Sequence, residues 1–133
     1  MPKPKLVRDA LRNADSLKRE LDADQRGLVE KIHALVLRMY QSSDSKLFAV
    51  YGFAPDLTVR SALVFLFREH RRLQLEARWI ASYLYCPLSE VGGYEEIAKQ
   101  LLLIRPDSPF STALKSICRE MGVEVEYLPA DHS

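Results

Sequence analysis

The sequence predicts a mainly α-helical, compact multi-helix single domain with a minor two-stranded sheet. Three observations predict it. Apolar residues recur at steps of three and four along most of the chain, which is the spacing of one helix face. Only two segments, 46–53 and 123–128, show the short aromatic-rich or alternating pattern of strands. The 133 residues, 47% hydrophobic and 28% charged, suffice for one core without a metal or disulfide staple.

The elements follow in order. Val7, Ala10, Leu11, Ala14, Leu17 and Leu21 form a narrow apolar stripe on a charged helix over 5–21. Asp22 or Asp24 is placed to cap a second helix, 24–42, whose apolar face centres on Ile32 and includes Leu28, Val29, Leu35, Val36 and Met39. "KLFAVYGF" (46–53) reads as a strand, and Asp56 as the cap of a third helix. That helix is apolar all round from Ala62 to Phe67 and belongs at the centre of the fold. The helical pattern continues to Leu84, as one helix or as two joined near 70–74, and Pro87 ends it. "CPLSEVGG" (86–93) reads as a loop. A helix over 94–103 then buries Ile97, Ala98, Leu101 and Leu102. After the turn "RPD", Ser108 caps and Pro109 opens a last helix with Leu114, Ile117, Cys118 and Met121 inward and Gly122 as terminator. "VEVEYL" alternates and is expected to pair with 46–53. The whole chain, 1–133, is one domain. Residues 5–42 form a helical hairpin or dimerisation arm, and 46–133 the helical core.

Composition narrows the function. Nineteen basic residues oppose eighteen acidic ones, so the net charge of +1 exerts no general pull on polyanions. The longest strongly apolar run, 62–67, is far short of the ~20 residues of a membrane span. The N-terminus has basic residues without the apolar core of a secretion signal. Cys86 and Cys118 fit no disulfide framework, and the simplest account is a pair of buried thiols in a cytoplasmic protein. There is no glycine-rich phosphate loop, no G-x-S-x-G and no zinc-protease pattern, so no catalytic residue and no cofactor is assigned. Glu30 and His33 form a single E-x-x-H, where di-iron bundles need two, and no metal ligand set is assigned.

"YEEIAKQL" followed by "STALKSI" resembles the helix-turn-helix of many bacterial DNA-binding proteins, in which a small Ala lets the second helix pack close. The resemblance covers about a quarter of the chain and implies a recognition helix presenting Ser111, Thr112, Lys115 and Arg119 to a groove. The basic cluster Arg68, Arg71, Arg72 and Arg78 would hold phosphates of double-stranded DNA. The first expectation is therefore a small DNA-binding transcription regulator or accessory protein, as a homodimer. The alternative is a helical adaptor that binds another protein, or its own twin, through Val7, Leu11, Ala14, Leu17 and Leu21.

Overall fold

A computed structural model describes residues 7–48 and 56–123. These residues form seven helices: α1 (Val7–Lys18), α2 (Ala23–Met39), α3 (Asp44–Phe48), α4 (Leu57–Glu69), α5 (Ala77–Leu84), α6 (Leu88–Ile104) and α7 (Pro109–Met121). The hub is α4. Every residue from Val59 to Phe67 is buried, so the helix with no polar face in its middle runs through the centre, as expected. Around it, α2 and α6 make the closest packing, α7 closes against α2, α6 and α4, and α1 lies on α5 and α3.

Local chemistry sets most helix ends. The Asp22 carboxylate accepts from the Gln25 amide at 2.8 Å and starts α2. Asp56 does the same for α4 through Val59, at 3.2 Å. Ser108 starts α7 through Ser111, with Pro109 in the first turn. Gly122 ends α7 at φ 71°, a left-handed conformation that glycine adopts without strain.

Three expectations change, and one open alternative is decided. First, the two-stranded sheet is not supported, because among the described residues there is no strand. Residues 46–48, the start of the expected first strand, belong to the short helix α3, which buries Leu47 and Phe48. Residues 49–53, and all of the expected second strand beyond Val123, lie outside the described residues. Second, the helical run from 57 to 84 is two helices. His70 leaves helical geometry at ψ 124°, and the corner is pinned from inside. The Leu75 amide donates to the Phe67 carbonyl at 3.0 Å, and Arg68 Nη1 donates to the Leu75 carbonyl at 3.1 Å. The turn buries both Leu73 and Leu75, which a straight helix would set ~200° apart.

Third, 86–93 is not a loop. Pro87 caps α6, and Gly92 and Gly93 lie inside that helix. Each glycine costs a helix interior about 1 kcal/mol relative to alanine. Burial of Val91 and Tyr94 on either side outweighs this. Fourth, Ile97 and Met39, expected inward, are exposed.

Candidate protein-interaction face

The arginines of the central segment do not form one basic strip. The corner at His70 puts Arg68 on α4 and Arg78 on α5, so the spacing of a single helix does not relate them. Arg68 Nε donates to Glu95 Oε1 at 3.3 Å. Arg72 Nη1 donates to both oxygens of Asp24, at 3.3 and 3.0 Å. Lys99 sits between Glu95, at 3.2 Å, and Glu69, at 3.7 Å. Burial raises the pKa of the Glu69 carboxyl, more than the Lys99 charge lowers it. Carboxylates are thus interleaved with the cations. Arg71 and Arg72 line a cavity of about 570 Å³ with Glu69, His70, Gln74, Met121 and Gly122. His70 is buried there, with Nδ1 accepting from the Arg72 amide at 3.1 Å. Burial first, and the Arg72 charge second, lower its pKa, against a smaller opposing pull from the Met121 carbonyl.

The pair α6–α7 has the order of a helix-turn-helix, but one of the four residues expected outward is not. Ser111 is fully buried: its hydroxyl donates to the Leu101 carbonyl at 3.0 Å and joins α7 to α6 where the two cross. It cannot reach a groove. A small hydroxyl suits this crossing because it adds a second donor to the Leu101 carbonyl, which already accepts from the Arg105 amide, without holding the helices apart. Thr112 and Arg119 are exposed, Lys115 is half-buried, and the exposed Glu120 adjoins Arg119.

The N-terminal stripe faces the chain's own core. Ala14 is buried, and Val7, Leu11, Leu17 and Leu21 pack partly buried against the core. Asn13 Nδ2 donates across to the Ser82 carbonyl of α5 at 2.9 Å.

Glu30 and His33 do not act together. Lys18 Nζ lies 3.3 Å from Glu30. His33 lies 2.7 Å from Asp44 through Nε2 and 2.7 Å from the Tyr83 hydroxyl through Nδ1. With Nε2–H donating to the carboxylate, Nδ1 accepts the Tyr83 proton. The ring thereby links α2, α3 and α5 beside Phe48, and Tyr83 in turn packs on Phe67 and Trp79. Among the described residues, no group of three or more His, Cys, Asp or Glu is arranged to hold a metal ion, and no helix is long and apolar enough to cross a membrane.

One surface stands apart. The outer side of α6 carries Ile97 (40% exposed), Leu103 (60%) and Ile104 (68%), with Leu57 (53%) beside it at the start of α4, while the exposed Leu88 lies on the opposite flank beside Cys86 and Pro87. Leu57, Gly93, Tyr94 and Ile97, with Glu90 at the edge, line a shallow groove of about 400 Å³. Among the described residues nothing lies within 4 Å of a methyl group built on Gly92 or Gly93, and neither has a positive φ. Neither internal packing nor backbone conformation therefore calls for glycine at these two positions. The signal was present in the sequence: "IAKQLLLI" places apolar residues on nearly every side of the helix, more than one buried face can absorb. Comparisons with family models, curated proteins and solved structures give no match.

Proposed function

We propose that this chain is a protein-binding module whose contact surface is the outer side of α6. The observation that carries the reading is the concentration of exposed large apolar side chains there: Ile97, Leu103 and Ile104 on one side of one helix, with Leu57 alongside and two glycines among them. Soluble monomers scatter such residues singly, whereas a grouped set with polar neighbours marks an interaction surface. Glu90 stands at the rim, and the exposed Glu96 and Gln100 run between Leu103 and Ile104. The adaptor class expected from the sequence is kept, but its face moves from α1 to α6, because the α1 stripe is covered by α5 and the core.

The DNA-binding reading draws less support. Two of its phosphate-holding arginines are engaged by Glu95 and Asp24, and one of its groove residues, Ser111, is inside the molecule.

Changing Leu103 and Ile104 together to Asp tests the proposal. Both side chains are more than half exposed, so helicity and urea midpoint are expected to stay near wild type. Proteins retained by the immobilised wild-type chain from a cell extract are expected to be lost from the double variant. Retention of the same proteins by both would remove α6 from the binding surface.

A further inference from the structure

We infer that the occupant of the α6 face is the α6 of a second copy of this chain, running antiparallel across a two-fold axis. The inference rests on the reading of α6 as the contact face and goes on to name the partner.

The argument is one of self-complementarity. At ~100° per residue, Gly92 and Leu103 lie along one edge of the exposed strip of α6, and Gly93 and Ile104 along the other. Gly92 and Leu103 are centred half a residue before Ala98 along the helix, and Gly93 and Ile104 half a residue after it. A two-fold axis lying in the contact plane and crossing the helix at the level of Ala98 exchanges its ends and keeps each edge on its own side. It therefore sets Leu103 of one copy over Gly92 of the other, and Ile104 over Gly93. The two largest exposures on the face meet its two hollows, and each contact occurs twice, as an isologous interface requires.

The rest of the face agrees with this register. Ile104 enters beside the groove formed by Leu57, Gly93, Tyr94 and Ile97. Glu96 comes beside Gln100 of the second copy, a carboxylate facing an amide rather than another carboxylate. Within one chain this same pair is already hydrogen-bonded at 2.9 Å, so the chemistry suits the position. Arg105, just beyond the helix end, is brought alongside the turn that holds Glu90 of the other copy. A parallel pairing would instead oppose glycine to glycine and leave Leu103 and Ile104 facing their own counterparts without a recess.

The glycines are the functional residues of this proposal. They let the two backbones approach, at a cost of about 1 kcal/mol each to the helix that carries them. One helix face makes a small interface, at or below roughly 1,200 Å² in total, so association belongs at the weak end, in the micromolar range.

The experiment uses the full chain with Cys86→Ser, Cys118 being buried. One preparation carries Gly93→Cys and another Ile104→Cys. Under mild oxidation a disulfide-linked dimer is expected from the mixture and not from either alone. Alongside, Gly92→Ala with Gly93→Ala is expected to raise the melting temperature at low concentration by roughly 5 °C and to weaken dimerisation about tenfold. Self-linking of either preparation by itself would overturn the antiparallel register. A chain that stays monomeric by light scattering at several hundred micromolar, with no linkage in the mixture, would overturn the second-copy proposal. If that monomer still loses its captured proteins on the Leu103 and Ile104 double change, the α6 reading stands. If capture is also indifferent to that change, both fall.

Discussion

Replacing Arg60 with alanine is expected to destabilise the fold by about 3–5 kcal/mol, a large part of the ~5–15 kcal/mol that holds a domain of this kind. Arg60 is 3% exposed inside the central helix α4. Nε donates to the Leu47 carbonyl of α3 at 2.7 Å, Nη2 to the Leu84 carbonyl of α5 at 3.1 Å, and Nη1 to the Tyr94 hydroxyl of α6 at 3.0 Å. Tyr94 passes the charge outward by donating to Glu90 at 3.0 Å, and its ring lies 5.8 Å from the guanidinium carbon. One side chain thus joins four helices, and two of its acceptors are carbonyls at or near helix ends. Alanine leaves both carbonyls without this donor and a cavity where the stem lay. Lysine keeps the charge without the planar fork and is expected to fall between, at about 1–3 kcal/mol. Urea titrations followed by circular dichroism measure both, and an alanine variant within 1 kcal/mol of wild type would refute the account.

The second large effect is alkaline. The Cys118 thiol and the Tyr83 hydroxyl are both fully buried. Burial pushes the thiol up to about 12, from an ordinary 9.0, and raises the Tyr83 phenol well above its ordinary 10.0, with the Asp44 charge adding to the shift. In the unfolded chain both ionise at their ordinary values. Above pH 9–10 the folded state therefore holds more protons than the unfolded state, and stability falls as pH rises. Each group contributes a loss of about 1.4 kcal/mol per pH unit beyond its unfolded value. By pH 11 the two together remove about 4 kcal/mol. Tyr40 shifts in the same direction, through burial first and Cys118 second, and adds to the slope. The urea midpoint is expected to drop steeply between pH 8 and pH 11, and Tyr83→Phe to flatten that drop. A midpoint that does not move over this range would contradict the burial of both groups.

What was legible in the sequence was mostly decided between near neighbours. Asp56, Ser108 and Gly122 act on residues within one turn, so their roles could be read from the order of residues alone. The centrality of α4 was legible because Ala62–Phe67 offer no polar side to water. The rest depended on partners distant in the chain. The break at His70 has neither proline nor glycine behind it; bonds closing back from Leu75 onto Phe67 and Arg68 make it. The start of α6 was hidden because Pro87 and the glycine pair carry local turn signals that burial of Val91 and Tyr94 overrides. Arg60 carried a readable clue, as a lone cation at helical spacing from Val64 and Phe67. Ile97 is exposed because α6 carries more apolar residues than its one buried face can take.

The stacking of Trp79 on Tyr83, with ring centroids 5.3 Å apart and planes 20° from parallel, gives the chain a built-in optical reporter. It is the sole tryptophan, and it sits half-buried on α5 where that helix meets Phe67 of the hub. Excitation at the red edge of the absorption band therefore addresses a single indole, whose emission colour and lifetime follow the α4–α5 junction without any attached label.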